Sequence, residues 1–174
     1  MVKSRMDIVV TPDHILRFGT ERFKCALGKG GIRMDKREGD GATPTGTFRL
    51  RRLYFRPDKG SLPETHLPSR AIGATDGWCD APDHPLYNRP VTLPFDASHE
   101  RMWRDDGLYD VVVEIGHNDA PARNGLGSAV FIHVATADYA PTEGCIALAK
   151  PDLLSLLPRW TNNTKIEILA DATD

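Results

Sequence analysis

The sequence predicts a mainly β fold, sandwich- or barrel-like in its sheets, with one or a few short helices and a long irregular insertion. Three observations carry that expectation. Short apolar segments recur between Gly, Pro and Asp residues, as strands separated by turns do. Two of them, residues 111–115 and 130–134, are nearly continuous apolar runs, which suits central strands buried on both faces. Only one stretch carries helix signals at both ends. At 174 residues the chain fits one domain, 1–174, large enough to bury a substantial core.

Taken in order, residues 6–10 and 23–27 read as two early strands joined by a turn-rich segment. Residues 47–53 begin with strand-period alternation that points Phe48 and Leu50 inward. Arg49, Arg51 and Arg52 then form the wet face of that strand rather than a phosphate site. Residues 56–108 are rich in Pro, Asp, Gly, His and Trp and have little periodicity. A loop region of this length inside a compact domain is usually functional or disordered. Trp78, Tyr87 and Trp103 argue against disorder, so the segment reads as a structured insertion or lid and not as a separate domain. After the two central runs, the helix is expected over 151–157. Pro151 suits its first position, Asp152 its first turn, and Pro158 its end. Its leucines would pack on the sheet, and residues 165–169 close the chain as a strand.

Composition narrows the function. Hydrophobic residues at 40% and charged residues at 26% are ordinary for a globular protein. A net charge of −2 gives no reason to expect a nucleic-acid or anionic-membrane partner. No apolar run approaches the ~18–20 residues that span a bilayer. The short apolar stretch near the N-terminus is followed at once by Asp13, His14 and Arg17, which is not a secretory signal. A cytoplasmic monomer is therefore the expectation from the chain as written.

Three cysteines, Cys25, Cys79 and Cys145, lack metal-finger spacing, and their odd number leaves room for at most one disulfide. Cys25 lies in an alternating apolar stretch and reads as core, and Cys79 as a loop residue. His66, His84 and His99 lack the paired spacing of a zinc site, so no metal is expected. Gly28-Lys29-Gly30-Gly31 lacks the spacing of a phosphate loop. Lys36, Asp40 and Thr43 read as a turn leading into the Phe48 strand.

The chemistry concentrates near the end. His133 closes the run Phe131-Ile132-His133-Val134, and Cys145 follows twelve residues later in Pro141-Thr142-Glu143-Gly144-Cys145-Ile146-Ala147-Leu148. A free thiol with a pKa of about 8.5 is only a few per cent thiolate near neutral pH and needs a base to act as a nucleophile. A histidine held at a strand end can be that base, with a backbone carbonyl fixing its tautomer. Gly144 lets the chain turn sharply, so neighbouring amides can point at a developing oxyanion. A buried structural histidine beside a core cysteine is the alternative that spacing alone leaves open.

His133 with Thr142-Glu143-Gly144-Cys145-Ile146 resembles the signature of the L,D-transpeptidase catalytic domain (YkuD-like) family, in which a histidine precedes a Ser/Thr-His-Gly-Cys element. The stretch from Asp35 to Phe48, with Thr43-Pro44-Thr45-Gly46-Thr47-Phe48, resembles the family's Gly/Thr-Pro-x-Gly-x-Phe segment, and the order of parts along nearly the whole chain is similar. The resemblance implies a mainly β catalytic domain that needs no cofactor, acting on peptidoglycan stem peptides and open to acylation by carbapenems. By that resemblance Cys145 is the nucleophile, His133 the base, the backbone at Gly144 and Cys145 the oxyanion donors, and a carbonyl near Val134 the group that orients the imidazole. It also implies the cell envelope as the compartment. Thr142, Glu143, His117 and Trp78 are the expected substrate-binding residues, His117 from a strand end and Trp78 from the insertion. The family's second histidine is Glu143 here, the polar residue two places after the cysteine is Ala147, and the twelve-residue spacing from His133 to Cys145 is shorter than in many members; the three departures bear on acceptor choice and substrate fit. A thiol peptidase or amidase, or a non-catalytic binding domain for peptidoglycan fragments, are the alternatives.

Overall fold

The computed structural model describes residues 7–171. Its centre is a closed mixed β-barrel. The strands β1 (Ile8–Thr11), β2 (Ile15–Phe18) and β3 (Glu21–Ala26) form a meander, followed by the small pair β4 (Ile32–Arg33) and β5 (Thr43–Pro44). The long strand β6 (Gly46–Phe55) comes next, then β7 (Ser69–Ala71), β8 (Asp76–Cys79), β9 (Pro90–Thr92) and β10 (His99–Arg101) in the insertion. The remainder is β11 (Val111–Ile115), β12 (Phe131–Val134), β13 (Ile146–Leu148), the helix α1 (Lys150–Leu156) and β14 (Lys165–Ile168). The main sheet runs β11-β12-β13-β3-β2-β1-β14-β6-β7, and β11 pairs again with β6 to close the ring. β6 does this by serving two partners: Gly46 to Arg49 pair with β14, and Leu50 to Phe55 pair with β11 across a register shift at Glu114/Ile115.

Alternation along these strands sorts two apolar clusters onto the two faces of one wall. Val111, Val113, Ile115, Ile132, Val134, Ile146 and Leu148 join the main core. Their neighbours Val112, Phe131 and Cys145 face the other way, into a second cluster with Tyr54, Trp78, Met102 and Tyr109. Burial on both faces is the reason 111–115 and 130–134 read as unbroken apolar runs. Leu50 is fully buried, Phe48 is half-buried against the main core, and Arg49, Arg51 and Arg52 are exposed.

The differences from the sequence expectation have local causes. Residue 6 lies outside the described residues. The turn-rich segment between the first two expected strands contains β2, entered through His14 at φ 63°. The insertion is not irregular throughout: β10, β8 and β9 pair in an antiparallel three-stranded sheet, and β7 pairs in parallel with β6. Cys79 is a strand residue, and all three cysteines are free and buried. The helix starts with Pro151 in its first turn and passes into a 3-10 turn, Leu157–Arg159, that contains Pro158.

Behind α1, Trp160 is completely buried and meets Phe18 edge-on at 6.2 Å between ring centroids. Its indole N–H has no partner among the described residues, so its contribution comes from packing. Trp160→Ala is expected to cost about 3–5 kcal/mol of stability. Urea unfolding followed by circular dichroism measures this, and a loss below 1 kcal/mol would mean that the site collapses around the missing ring.

Candidate active site

The pairing of β12 with β13 builds the site. The two strands run parallel with Ile132 opposite Ile146 and His133 opposite Ala147. That register brings Phe131 level with Cys145, whose Sγ accepts the Phe131 N–H at 3.4 Å. Alternation then puts Phe131, His133 and Cys145 on the same outward face, with the imidazole diagonal to the thiol and one pleat further along. A cleft of about 610 Å³ opens over this face, and Cys145, His133, Gly144, Lys36, Glu100 and Arg104 form part of its wall.

The loop before Cys145 is clamped by backbone. Thr142 N donates to Leu27 O at 2.9 Å and Thr142 O accepts from Lys29 N at 2.8 Å, which extends β3 alongside the loop. The Thr142 hydroxyl donates to Cys145 O at 2.7 Å and accepts from Gly144 N at 3.1 Å. Gly144 adopts φ +138°, and a Cβ there would sit 2.7 Å from Ala42 O. Only glycine fits both the dihedral and the gap. The Cys145 N–H has no hydrogen-bond partner among the described residues. Glu143 is exposed and pairs with Lys29 at 3.0 Å at the rim.

His133 is 5% exposed, and its Nδ1 lies 2.9 Å from Val134 O. A carbonyl only accepts, so Nδ1 carries the proton and Nε2 is left with a free lone pair. The ring meets Tyr109 edge-on at 5.3 Å. Burial lowers the His133 pKa from 6.5 to about 4; Arg104 adds to this, while the Val134 carbonyl and Asp106 oppose it. Burial raises the Cys145 thiol from 9.0 to about 12, with Glu100 adding and the Phe131 N–H, Lys36 and Arg104 opposing. The resting pair is therefore neutral, thiol and imidazole. The thiol donates to Ala129 O at 3.2 Å rather than to His133.

Of the other sequence-predicted residues, Thr142 and Glu143 line the cleft and two do not. Trp78 lies beneath it, buried, with its ring edge-on to Phe131 at 4.9 Å and its Nε1 donating to Asn88 Oδ1 at 2.9 Å. His117 lies beyond β11 against Phe48 at 5.3 Å, and its Nδ1 is buried without a partner among the described residues. Burial, and then the charge of Lys36, lower its pKa from 6.5 to about 4.

Sequence reasoning missed several cleft residues. Lys36, only 9% exposed, pairs with Asp40, and its Nζ lies 3.8 Å from a Cβ built on Gly144. Arg104 pairs with Asp106 and lies over the Tyr109 ring, while Glu100 takes the Tyr109 hydroxyl. Burial raises the Glu100 pKa above the usual carboxylate range, against the pull of Tyr109 and Arg104. Nothing in the pattern of residues 99–109 points to these contacts, beyond a mix of aromatic and charged residues unusual for a loop.

The family model for YkuD, the L,D-transpeptidase catalytic domain, matches residues 5–168. The chain belongs to that family. No curated protein matches the sequence. A solved structure, that of Bdellovibrio bacteriovorus Bd1075, is similar in fold with a TM-score of 0.50 at 13% identity, over 97% of this chain. The chain spans about half of that longer one, 49%. No helix among the described residues is long and apolar enough to cross a membrane.

Proposed function

We propose that this YkuD-family protein is an L,D-transpeptidase, a cysteine acyltransferase that works through a thioester on Cys145. The observation that carries the reading is the shared outward face of β12 and β13, where the Cys145 thiol and a tautomer-fixed His133 open on one cleft. The donor is a peptidoglycan tetrapeptide stem, and the bond attacked follows its third, diamino residue. His133 Nε2 takes the thiol proton as sulfur bonds to the scissile carbonyl carbon. The Cys145 N–H donates to the oxyanion. Collapse of the tetrahedral intermediate breaks the C–N bond, and the imidazolium returns its proton to the departing amine of the terminal D-amino acid. An incoming amine then attacks the thioester, loses a proton to His133, and leaves a new amide with the thiol restored. The acceptor is a second stem or a free D-amino acid. Thr142 supports the loop, and the exposed Glu143 on the cleft rim is assigned to acceptor choice.

Intact-protein mass spectrometry after incubation with a carbapenem tests the nucleophile. One adduct is expected on the native chain and none on Cys145→Ala, which deletes the sulfur alone. An adduct of equal yield on the variant would overturn the assignment. With a stem tetrapeptide and an amine present, a new amide product is expected. A free carboxylate in its place would turn the reading to a thiol peptidase, and ligand binding with no adduct on the native chain would turn it to a binding domain.

A further inference from the structure

Asn88 sits in the insertion, between β8 and β9, in the left-handed region at φ 57° and 6% exposed. Every hydrogen-bonding position of its side chain is used. Oδ1 accepts from Trp78 Nε1 at 2.9 Å and from the Ala129 N–H at 3.0 Å. Nδ2 donates to His117 O at 3.0 Å and to Asn118 O at 2.8 Å. Two donors on one side and two carbonyls on the other fix which end of the amide is which. No other side chain of this size offers two acceptor positions and two N–H donors in that arrangement. Three separate segments meet on it: the insertion strand that carries Trp78, the loop after β11, and the segment that enters β12.

The last of these is the one that touches the sulfur. Ala129 is itself left-handed, at φ 52°, a conformation that a residue with a Cβ disfavours. Its carbonyl accepts the Cys145 thiol proton at 3.2 Å, and two residues on, the Phe131 N–H reaches the same sulfur at 3.4 Å. A strained residue persists only where its surroundings over-determine it. Here the restraint on the Ala129 amide is the Asn88 side chain.

We propose that Asn88 is a positioning residue for the Cys145 sulfur: it locks Ala129 in its left-handed turn, so that the Ala129 carbonyl and the Phe131 amide bracket Sγ on the cleft wall. The proposal rests on the reading of Cys145 as the acylated nucleophile. It gives the insertion a part in the chemistry although Trp78 and Asn88 do not reach the cleft. In the resting protein the carbonyl keeps the sulfur as a thiol, while the amide holds it in line for the proton transfer to His133.

Asn88→Gly tests this, because glycine keeps the left-handed backbone and deletes only the amide side chain. Two reactions are followed by peptide mass spectrometry: carbapenem acylation of Cys145, and alkylation of each cysteine by iodoacetamide across pH. Cys25, in the main core, reports whether the fold is intact. The expected result has three parts. Cys145 acylates at least 10-fold more slowly at saturating carbapenem, with little change in the half-saturating concentration. Its alkylation becomes at least 10-fold faster, with a pH midpoint moved toward the ordinary thiol range. Cys25 remains unlabelled. Native rates for both reactions at Cys145 in the variant would overturn the proposal. If labelling of Cys25 shows the variant unfolded, amide hydrogen exchange on the native protein decides: slow exchange at Ala129 and Phe131 upholds the bracket, and exchange at free-loop rates overturns it. A native chain that forms no carbapenem adduct would sink the acyl-transfer reading while leaving the alkylation comparison intact, so the two failures are distinguishable.

Discussion

His133→Ala is expected to slow carbapenem acylation of Cys145 by about 10²- to 10⁴-fold, the usual range for loss of a positioned general base. The size of the effect follows from the resting state. The thiol is held up to about 12 by burial, so almost no thiolate is present at neutral pH and attack must be coupled to proton removal. The His133 imidazole on the cleft wall presents Nε2 because Nδ1 is tied to Val134 O at 2.9 Å. Without it, the thiol's hydrogen-bond acceptor is the Ala129 carbonyl, which accepts a hydrogen bond but cannot take the proton. Saturation kinetics by intact mass measure the change. A loss under about threefold would mean that another group carries the proton, and the reading of His133 as base would fail.

The same shifts set the pH behaviour. His133 stays neutral down to about 4 and Cys145 up to about 12, so the acylation rate is expected to be flat from about pH 5 to 9. A rise with a midpoint near 8.5, the ordinary thiol value, would contradict a buried neutral pair. Stability moves differently. In the unfolded chain both His133 and His117 titrate near 6.5, whereas in the fold each is lowered to about 4. Between those values the unfolded state binds protons that the fold does not, so stability is fully present above about 6.5 and falls as pH drops toward 4. Urea midpoints at pH 7 and pH 5 measure this, and His117→Phe, which removes one of the two groups, is expected to narrow the difference.

Sequence and structure agree where burial leaves a pattern. Val111–Ile115 and Phe131–Val134 are apolar on both faces because one face enters the main core and the other enters the cluster beneath the cleft, and that duplication is visible in the letters. His133 and Cys145 stand out for a related reason: each is a side chain of a type that can carry acid–base or nucleophilic chemistry, set among apolar strand residues. β2 is hard to read because four residues, with Arg17 among them, carry too little alternation and follow a left-handed His14. The strands Asp76–Cys79 and His99–Arg101 exist by pairing with each other, which is a long-range fact. Lys36, Asn88 and Arg104 are invisible for the same reason. Each reaches the site region from a segment without periodicity. Lys36 and Asn88 take their meaning from partners tens of residues away, Gly144 and Ala129, and Arg104, though it stacks on nearby Tyr109, takes its meaning from a cleft wall built by distant strands.

Gly144→Ala is expected to lower acylation by about 10²- to 10³-fold, the cost of losing one oxyanion donor. The backbone at φ +138° is one that a residue with a Cβ adopts only with strain of about 1–3 kcal/mol. The added carbon would also stand 2.7 Å from Ala42 O, a backbone atom that cannot swing aside as a side chain would. The neighbouring segment offers no relief. Gly28 already packs so closely that a Cβ on it would meet Gly41 O at 2.4 Å and the Gly144 α-carbon at 3.0 Å, and its N–H is bonded to Thr43 Oγ1. The loop must therefore move as a unit away from residues 41–43, and it takes the Cys145 N–H off the line to the scissile carbonyl. Thr142, which ties the Gly144 amide to the Cys145 carbonyl, transmits the shift. Gly60→Ala separates strain from contact: Gly60 sits at φ +155° with nothing within 4 Å of a Cβ, so it carries a conformational cost alone. Both variants are expected to lose stability on heating, but only Gly144→Ala is expected to lose acylation. Because an oxyanion donor acts in the transition state, the loss should fall on the saturating rate and leave the half-saturating carbapenem concentration nearly unchanged. A variant that binds carbapenem weakly but acylates at the native saturating rate would move the role of Gly144 from the transition state to substrate fit.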